Sequence, residues 1–113
     1  MLFRSLLPEV LDAVNGRIEV LLDSGVRRGA DVLVALSLGA RFVFVGRATL
    51  YGLAAGGQAG VERAIAILRD EIDANQRQIG CVDLRDLGPG NLWPAGRAVV
   101  PSADANAERE ERS

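Results

Sequence analysis

Two apolar stretches, residues 18–22 and 42–45, each run into a turn that sets glycine beside arginine, with a helix-forming stretch between them. No other feature constrains the fold as much. Ile18-Glu19-Val20-Leu21-Leu22 reads as a mostly apolar strand, interrupted by the turn that begins at Asp23. Phe42-Val43-Phe44-Val45 is continuous and apolar, as expected of a parallel strand covered on both faces. Between them, Ala30-Asp31 opens a helix carrying Val32, Leu33, Leu36 and Ala40, with Gly39 at its expected end. Strand, helix, strand, with a connection of this length, predicts a parallel pair joined by a right-handed crossover.

The flanks extend the pattern. Leu6, Leu7, Val10, Leu11 and Val14 recur at helical spacing, and Asn15-Gly16 supplies the stop. After Arg47, the segment 48–55 predicts a turn or two of helix before Gly56-Gly57 breaks it. Val61, Ala64, Ile65, Leu68 and Ile72 then share one helical face, while Glu62, Arg69, Asp70 and Asp73 occupy the other. That helix is expected to run to about Ile79 and stop at Gly80. Beyond Leu87 the composition changes to Gly88-Pro89-Gly90, Pro94, Gly96 and Pro101, followed by a charged run of small residues. The reading is one domain over residues 1–87 and a disordered tail over 88–113.

With 113 residues and 49% hydrophobic content, the chain is ordinary globular material and has room for one domain. Its net charge is −2, and its 13 basic residues, all arginine, are spread among acids. That pattern lacks the basic stripe of a nucleic-acid binder. A single cysteine, Cys81, excludes an internal disulfide, and no leader-like segment opens the chain, so a cytoplasmic setting is expected. The longest apolar run, residues 32–40, is broken by Ser37 and Gly39 and falls well short of the roughly 18–20 residues a membrane span needs. Any membrane contact is expected to be peripheral.

The chemistry is concentrated in the two turns. Gly25 lets backbone approach a ligand without an intervening Cβ, and Gly29 eases entry to the helix near Ala30. The first N–H groups of that helix are expected to add a positive end to the same site. Gly46 repeats the arrangement. Arg27 and Arg47 would present planar forks to phosphate oxygens, each charge-assisted hydrogen bond being worth about 1.5–3 kcal/mol. Asp23, at the strand end, is placed to accept hydrogen bonds from sugar-like hydroxyls. Either turn alone is common geometry in α/β proteins, but two consecutive βα turns of this kind match the way barrels bind phosphate after strands seven and eight. Arg28 reads as a solvated or helix-capping charge, Asp31 as a helix-dipole residue, Tyr51 and Trp93 as packing aromatics, and Cys81 as an inert thiol. The absence of histidine and lysine removes the usual general base, and no residue is assigned a catalytic or metal-binding role.

Taken together, residues 7–87 resemble the carboxy-terminal part of the FMN-dependent α-hydroxy-acid dehydrogenase and oxidase family. The carriers are Leu22-Asp23-Ser24-Gly25-Val26-Arg27-Arg28-Gly29-Ala30-Asp31-Val32, Ala35-Leu36-Ser37-Leu38-Gly39-Ala40, Val45-Gly46-Arg47, Tyr51-Gly52-Leu53-Ala54 and Ile79-Gly80-Cys81. Residues 46–55 resemble the mandelate dehydrogenase branch in particular, although Ser24 stands where many members have glycine. The resemblance implies an α/β fold, the last two βα units of a TIM (β/α)8 barrel and incomplete as a barrel, with FMN at its carboxy-terminal mouth. By position, Asp23, Ser24, Gly25, Val26, Arg27, Gly46 and Arg47 would hold the FMN phosphate end. In such enzymes a histidine takes the hydroxyl proton, hydride passes from the α-carbon to the flavin, and an arginine pairs with the carboxylate. Those residues lie in a Ser-Asn-His-Gly-Gly-Arg-Gln motif that does not occur in this sequence.

A barrel needs roughly 250 residues, so two strands cannot close one. The implied function is the FMN-phosphate-binding part of an oxidoreductase that converts a mandelate- or lactate-like hydroxy acid to the 2-keto acid. Its catalytic half would be missing or encoded separately. The implied partners are FMN, the hydroxy acid only alongside the amino-terminal part, and a second copy or a split-chain partner. The alternative is a non-catalytic barrel remnant that assembles or binds through its open sheet. A relative of inosine-monophosphate dehydrogenase is disfavoured by Tyr51-Gly52-Leu53-Ala54.

Overall fold

The structure, a computed structural model, describes residues 3–93. Helix α1, Phe3–Val14, comes first and ends where Asn15 and Gly16 turn left-handed at φ 50° and 71°. The Arg17 guanidinium then donates to the last carbonyls, Ala13 O and Val14 O, at 2.9 Å each, placing a cation on the negative end of the helix. Strand β1 is Leu21–Leu22, helix α2 is Gly29–Leu38, and strand β2 is Phe42–Val43. The two strands run parallel, with Leu21 opposite Phe42 and Leu22 opposite Val43. The expected strand–helix–strand order is therefore present. Both strands are shorter than the apolar runs 18–22 and 42–45, because among the described residues each has a single neighbour and the ladder ends where that neighbour does.

Side-chain alternation decides where the core lies. Leu22 points into a cluster with Leu7, Val26, Ala35 and Ala40, against which Leu11, Val20, Val32, Leu38, Val43 and Val45 pack. Helices α1 and α2 thus cover one face of the pair. On the opposite face Leu21 is 52% exposed, Phe42 55% and Phe44 48%. The expectation that residues 42–45 would be covered on both sides is not met among the described residues. The two phenylalanine rings meet edge to face, 5.1 Å between centroids, and shelter only each other.

Helix α3, Arg47–Gln78, is two helical segments divided at Gly56 and Gly57, whose backbones leave helical geometry at the predicted break. The segments meet backbone to backbone: a Cβ on Gly52 would lie 2.5 Å from Gly60 O, and one on Gly60 would collide with Gly52 O. A second close crossing brings α3 onto the start of α2, where a Cβ on Gly29 would lie 2.5 Å from Glu71 Cβ. The helix ends at the predicted place, with Ile79 as its cap and Gly80 at φ 68°. A 3-10 turn follows at Leu84–Asp86, capped by the Asp83 carboxylate accepting from Arg85 N. The Arg85 side chain bonds the same carboxylate and holds it well below the usual carboxylate range, at about 2. The predicted tail from residue 88 begins with a further 3-10 turn, Pro89–Asn91, and its remainder, residues 94–113, lies outside the described residues. Among the described residues no helix is long and apolar enough to cross a membrane.

Candidate functional site

Ser24 and Gly25 follow β1 with positive φ, 91° and 79°, and this pair of left-handed residues turns the chain sharply out of the strand. A serine in that region is strained, and such strain is found at ligand-binding turns. Val26 then re-enters the core at 6% exposure and anchors the turn from below. The next three amides are all engaged. Arg27 N and Arg28 N donate to Asp31 Oδ2 at 3.1 Å each, and Gly29 N donates to Glu71 Oε2 at 2.7 Å. The Arg28 guanidinium pairs with the other oxygen of Glu71 at 2.8 Å.

That arrangement corrects one expectation. The first amide of α2, that of Gly29, is taken by the Glu71 carboxylate, and the two amides just before the helix, those of Arg27 and Arg28, are taken by Asp31, so this helix end is not the open positive end that was expected. Asp31 is 4% exposed, a buried turn-former in addition to a dipole residue. Arg28 stands at the N-cap position of α2, but its side chain makes no cap bond; it is an exposed charge paired with Glu71. Helix α3 has no side-chain cap bonded at its N-terminus, and Gly46, Arg47 and Ala48 there line the cavity. Thr49 Oγ1 donates to Gly46 O at 2.7 Å and steadies that turn while leaving the leading N–H groups without intrahelical acceptors. A Cβ at Gly46 would meet no atom of this chain, so the glycine leaves open the space in front of those amides.

The two turns share one cavity of about 410 Å³, lined by Asp23, Ser24, Gly25, Val26, Arg27, Phe44, Gly46, Arg47, Ala48 and Tyr51. All seven predicted residues line it. Arg27 and Arg47 are both exposed residues of its wall, and the N-terminus of α3 borders the same space. Three lining residues, Phe44, Ala48 and Tyr51, are not among the predicted site residues. Phe44 was legible in strand parity, two positions from Phe42 and on the same bare face. Tyr51 stands one helical turn after Arg47, and at 62% exposure it borders the cavity instead of packing in the core. Ala48 carried no signal of its own. Elsewhere, Cys81 Sγ donates to Asp83 O at 3.0 Å, and no group of three metal-ligating side chains exists among the described residues.

Fold and cavity together define an α/β protein with an arginine-lined cavity where its parallel strands end. Residues 4–94 match the family of FMN-dependent dehydrogenases, and the chain belongs to that family, whose cofactor is FMN. It is 52% identical over 81 residues to L-lactate oxidase of Nostoc sp., covering 72% of this chain and 22% of that protein. It is 53% identical over 91 residues to pre-mycofactocin synthase of Mycobacterium tuberculosis, covering 80% and 23%. An active mutant of (S)-mandelate dehydrogenase superposes with a TM-score of 0.73 at 44% identity, covering 80% of this chain and 25% of the other. The family resemblance read from the turns therefore holds, and mandelate dehydrogenase is among the structural neighbours. The chain spans about a quarter of the length of these relatives.

Proposed function

We propose that this chain is the FMN-phosphate-binding part of an oxidoreductase that converts a 2-hydroxy acid to its 2-keto acid, built from the last two βα units of a (β/α)8 barrel. The observation that carries the reading is the single cavity into which both strand-exit turns bring an arginine. The donor set fits a phosphate: two planar guanidiniums, an uncapped helix N-terminus, and room left by Gly46. Asp23, on the same wall, is placed to accept hydrogen bonds from the hydroxyls next to that phosphate and to repel a second anion. Bound FMN supplies the hydride acceptor; the residues of this chain hold and orient its charged end. With no histidine in the sequence, the hydroxyl proton is taken by a residue from outside this chain.

Titration of FMN fluorescence tests the reading. Removing one charge-assisted bond worth about 1.5–3 kcal/mol weakens binding roughly tenfold to 150-fold, so Arg27→Ala and Arg47→Ala should each do so. FMN affinity unchanged in both variants refutes it. A second reading, assembly through the sheet, is favoured by one observation, the bare face of Leu21, Phe42 and Phe44. It predicts concentration-dependent oligomers in sedimentation that are indifferent to FMN and to both arginine substitutions.

A further inference from the structure

We infer that Glu71 and Asp31 are positioning residues for the phosphate site: their carboxylates take the three amides that follow the first turn and so fix where Arg27 and the Ser24–Val26 backbone face the cavity. The inference rests on the FMN reading. Its ground is the division of labour between the two helix ends. Helix α3 leaves its leading amides open beside the cavity, whereas the amides of Arg27, Arg28 and Gly29 are each bonded to an internal carboxylate at 2.7–3.1 Å. A turn containing a strained Ser24 and a left-handed Gly25 has no ladder hydrogen bonds to hold it, so something outside the turn must. Asp31 does this locally and from a buried position.

Glu71 does it from 42 positions away. Its side chain is 23% exposed, and it bridges the Gly29 amide and the Arg28 guanidinium at once, so its charge is balanced by a helix N-terminus and a cation. The bridge leaves Arg28 committed, which accounts for its absence from the cavity wall while its neighbour Arg27 lines it. Glu71 lies on the second segment of α3, whose first segment begins with Arg47. One carboxylate therefore connects the helix that carries one cavity arginine to the turn that carries the other. Neither carboxylate lines the cavity, so neither is a phosphate ligand.

The test compares FMN with riboflavin, which lacks the phosphate, on the full chain. The ratio of their dissociation constants isolates the phosphate contribution, and a purely structural role would lower both affinities together. Glu71→Gln keeps the shape of the side chain and removes its charge; Asp31→Asn does the same at the local contact. Each should reduce the preference for FMN over riboflavin at least fivefold while riboflavin binding stays within twofold. Should Glu71→Gln fail to fold, Arg28→Ala breaks the same bridge from a side chain that is 73% exposed and should lower the preference two- to threefold. A preference abolished by Arg47→Ala but intact in folded Glu71→Gln and Asp31→Asn overturns this inference alone. A wild-type chain with no preference, or a preference surviving Arg47→Ala, overturns the FMN reading and this inference with it.

Discussion

Replacing Gly29 with alanine should be among the most damaging one-carbon changes available to this chain. The added Cβ would lie 2.5 Å from both Glu71 Cβ and Ile72 N and 2.7 Å from Glu71 C, so it meets main chain as well as a side-chain root. No rotamer change relieves contacts of that kind. Helix α3 must move by about an ångström, an overpacking cost of about 1–3 kcal/mol. The displacement also lengthens the 2.7 Å bond from Gly29 N to Glu71 Oε2, a charge-assisted contact worth about 1.5–3 kcal/mol. The better helix propensity of alanine returns about 1 kcal/mol. The net loss is about 2–5 kcal/mol, a large share of the roughly 5–15 kcal/mol that holds an ordinary domain together. In thermal unfolding followed by circular dichroism, the midpoint should fall by at least about 8 °C. A midpoint within 2 °C of wild type, taken with unchanged FMN binding, would show that the α2–α3 crossing tolerates a methyl group and that the close approach plays no part in stability.

Four other outcomes follow from particular contacts. Ser24→Gly relieves a serine held at φ 91° and should raise stability by about 0.5–1 kcal/mol in urea unfolding, the strain relieved exceeding the entropy cost of glycine. Gly60→Ala drives a Cβ into Gly52 O and should separate the two segments of α3, read as a lower helical signal and a lower unfolding midpoint. Arg85→Ala removes the guanidinium that does most to hold the Asp83 carboxyl at about 2, and NMR titration should then find it raised, though still below 3.8 because the amide of residue 85 continues to donate to it. Because that value is depressed in the fold, the 84–86 turn keeps its support above about pH 4 and loses it as pH falls through about 2; a turn unaffected by acid over that window contradicts the assignment.

Sequence reasoning found the parts of this fold that depend on local chemistry. Asn15-Gly16, Gly39 and Gly80 ended helices where predicted, since a left-handed exit is written into the residue type itself. Gly56-Gly57 marked the break in α3 for the same reason. The seven turn residues converged on one cavity because parallel strands joined by a helix place their exits side by side. What stayed hidden depended on distance along the chain. Nothing near Gly29 reveals that Glu71 will accept from its amide, so the leading amide of α2 read as open when it was taken. Strand lengths were overestimated because an apolar run records what a strand can pair with, and each strand has one neighbour among the described residues. Tyr51 was assigned to packing on the statistics of lone aromatics, yet its place one turn beyond Arg47 carries it to the cavity rim.

The Gly29–Glu71 bond also sets an order of events during synthesis. The amide and its carboxylate are 42 positions apart, and closing a loop of that length costs on the order of 3 kcal/mol in chain entropy. A ribosome that has released the first crossover but not the second segment of α3 has therefore made a loop whose final shape is still undetermined. Every residue that lines the cavity, from Asp23 to Tyr51, precedes Glu71, so the chain that emerges first carries the whole lining while its first turn still lacks the distant carboxylate that holds it.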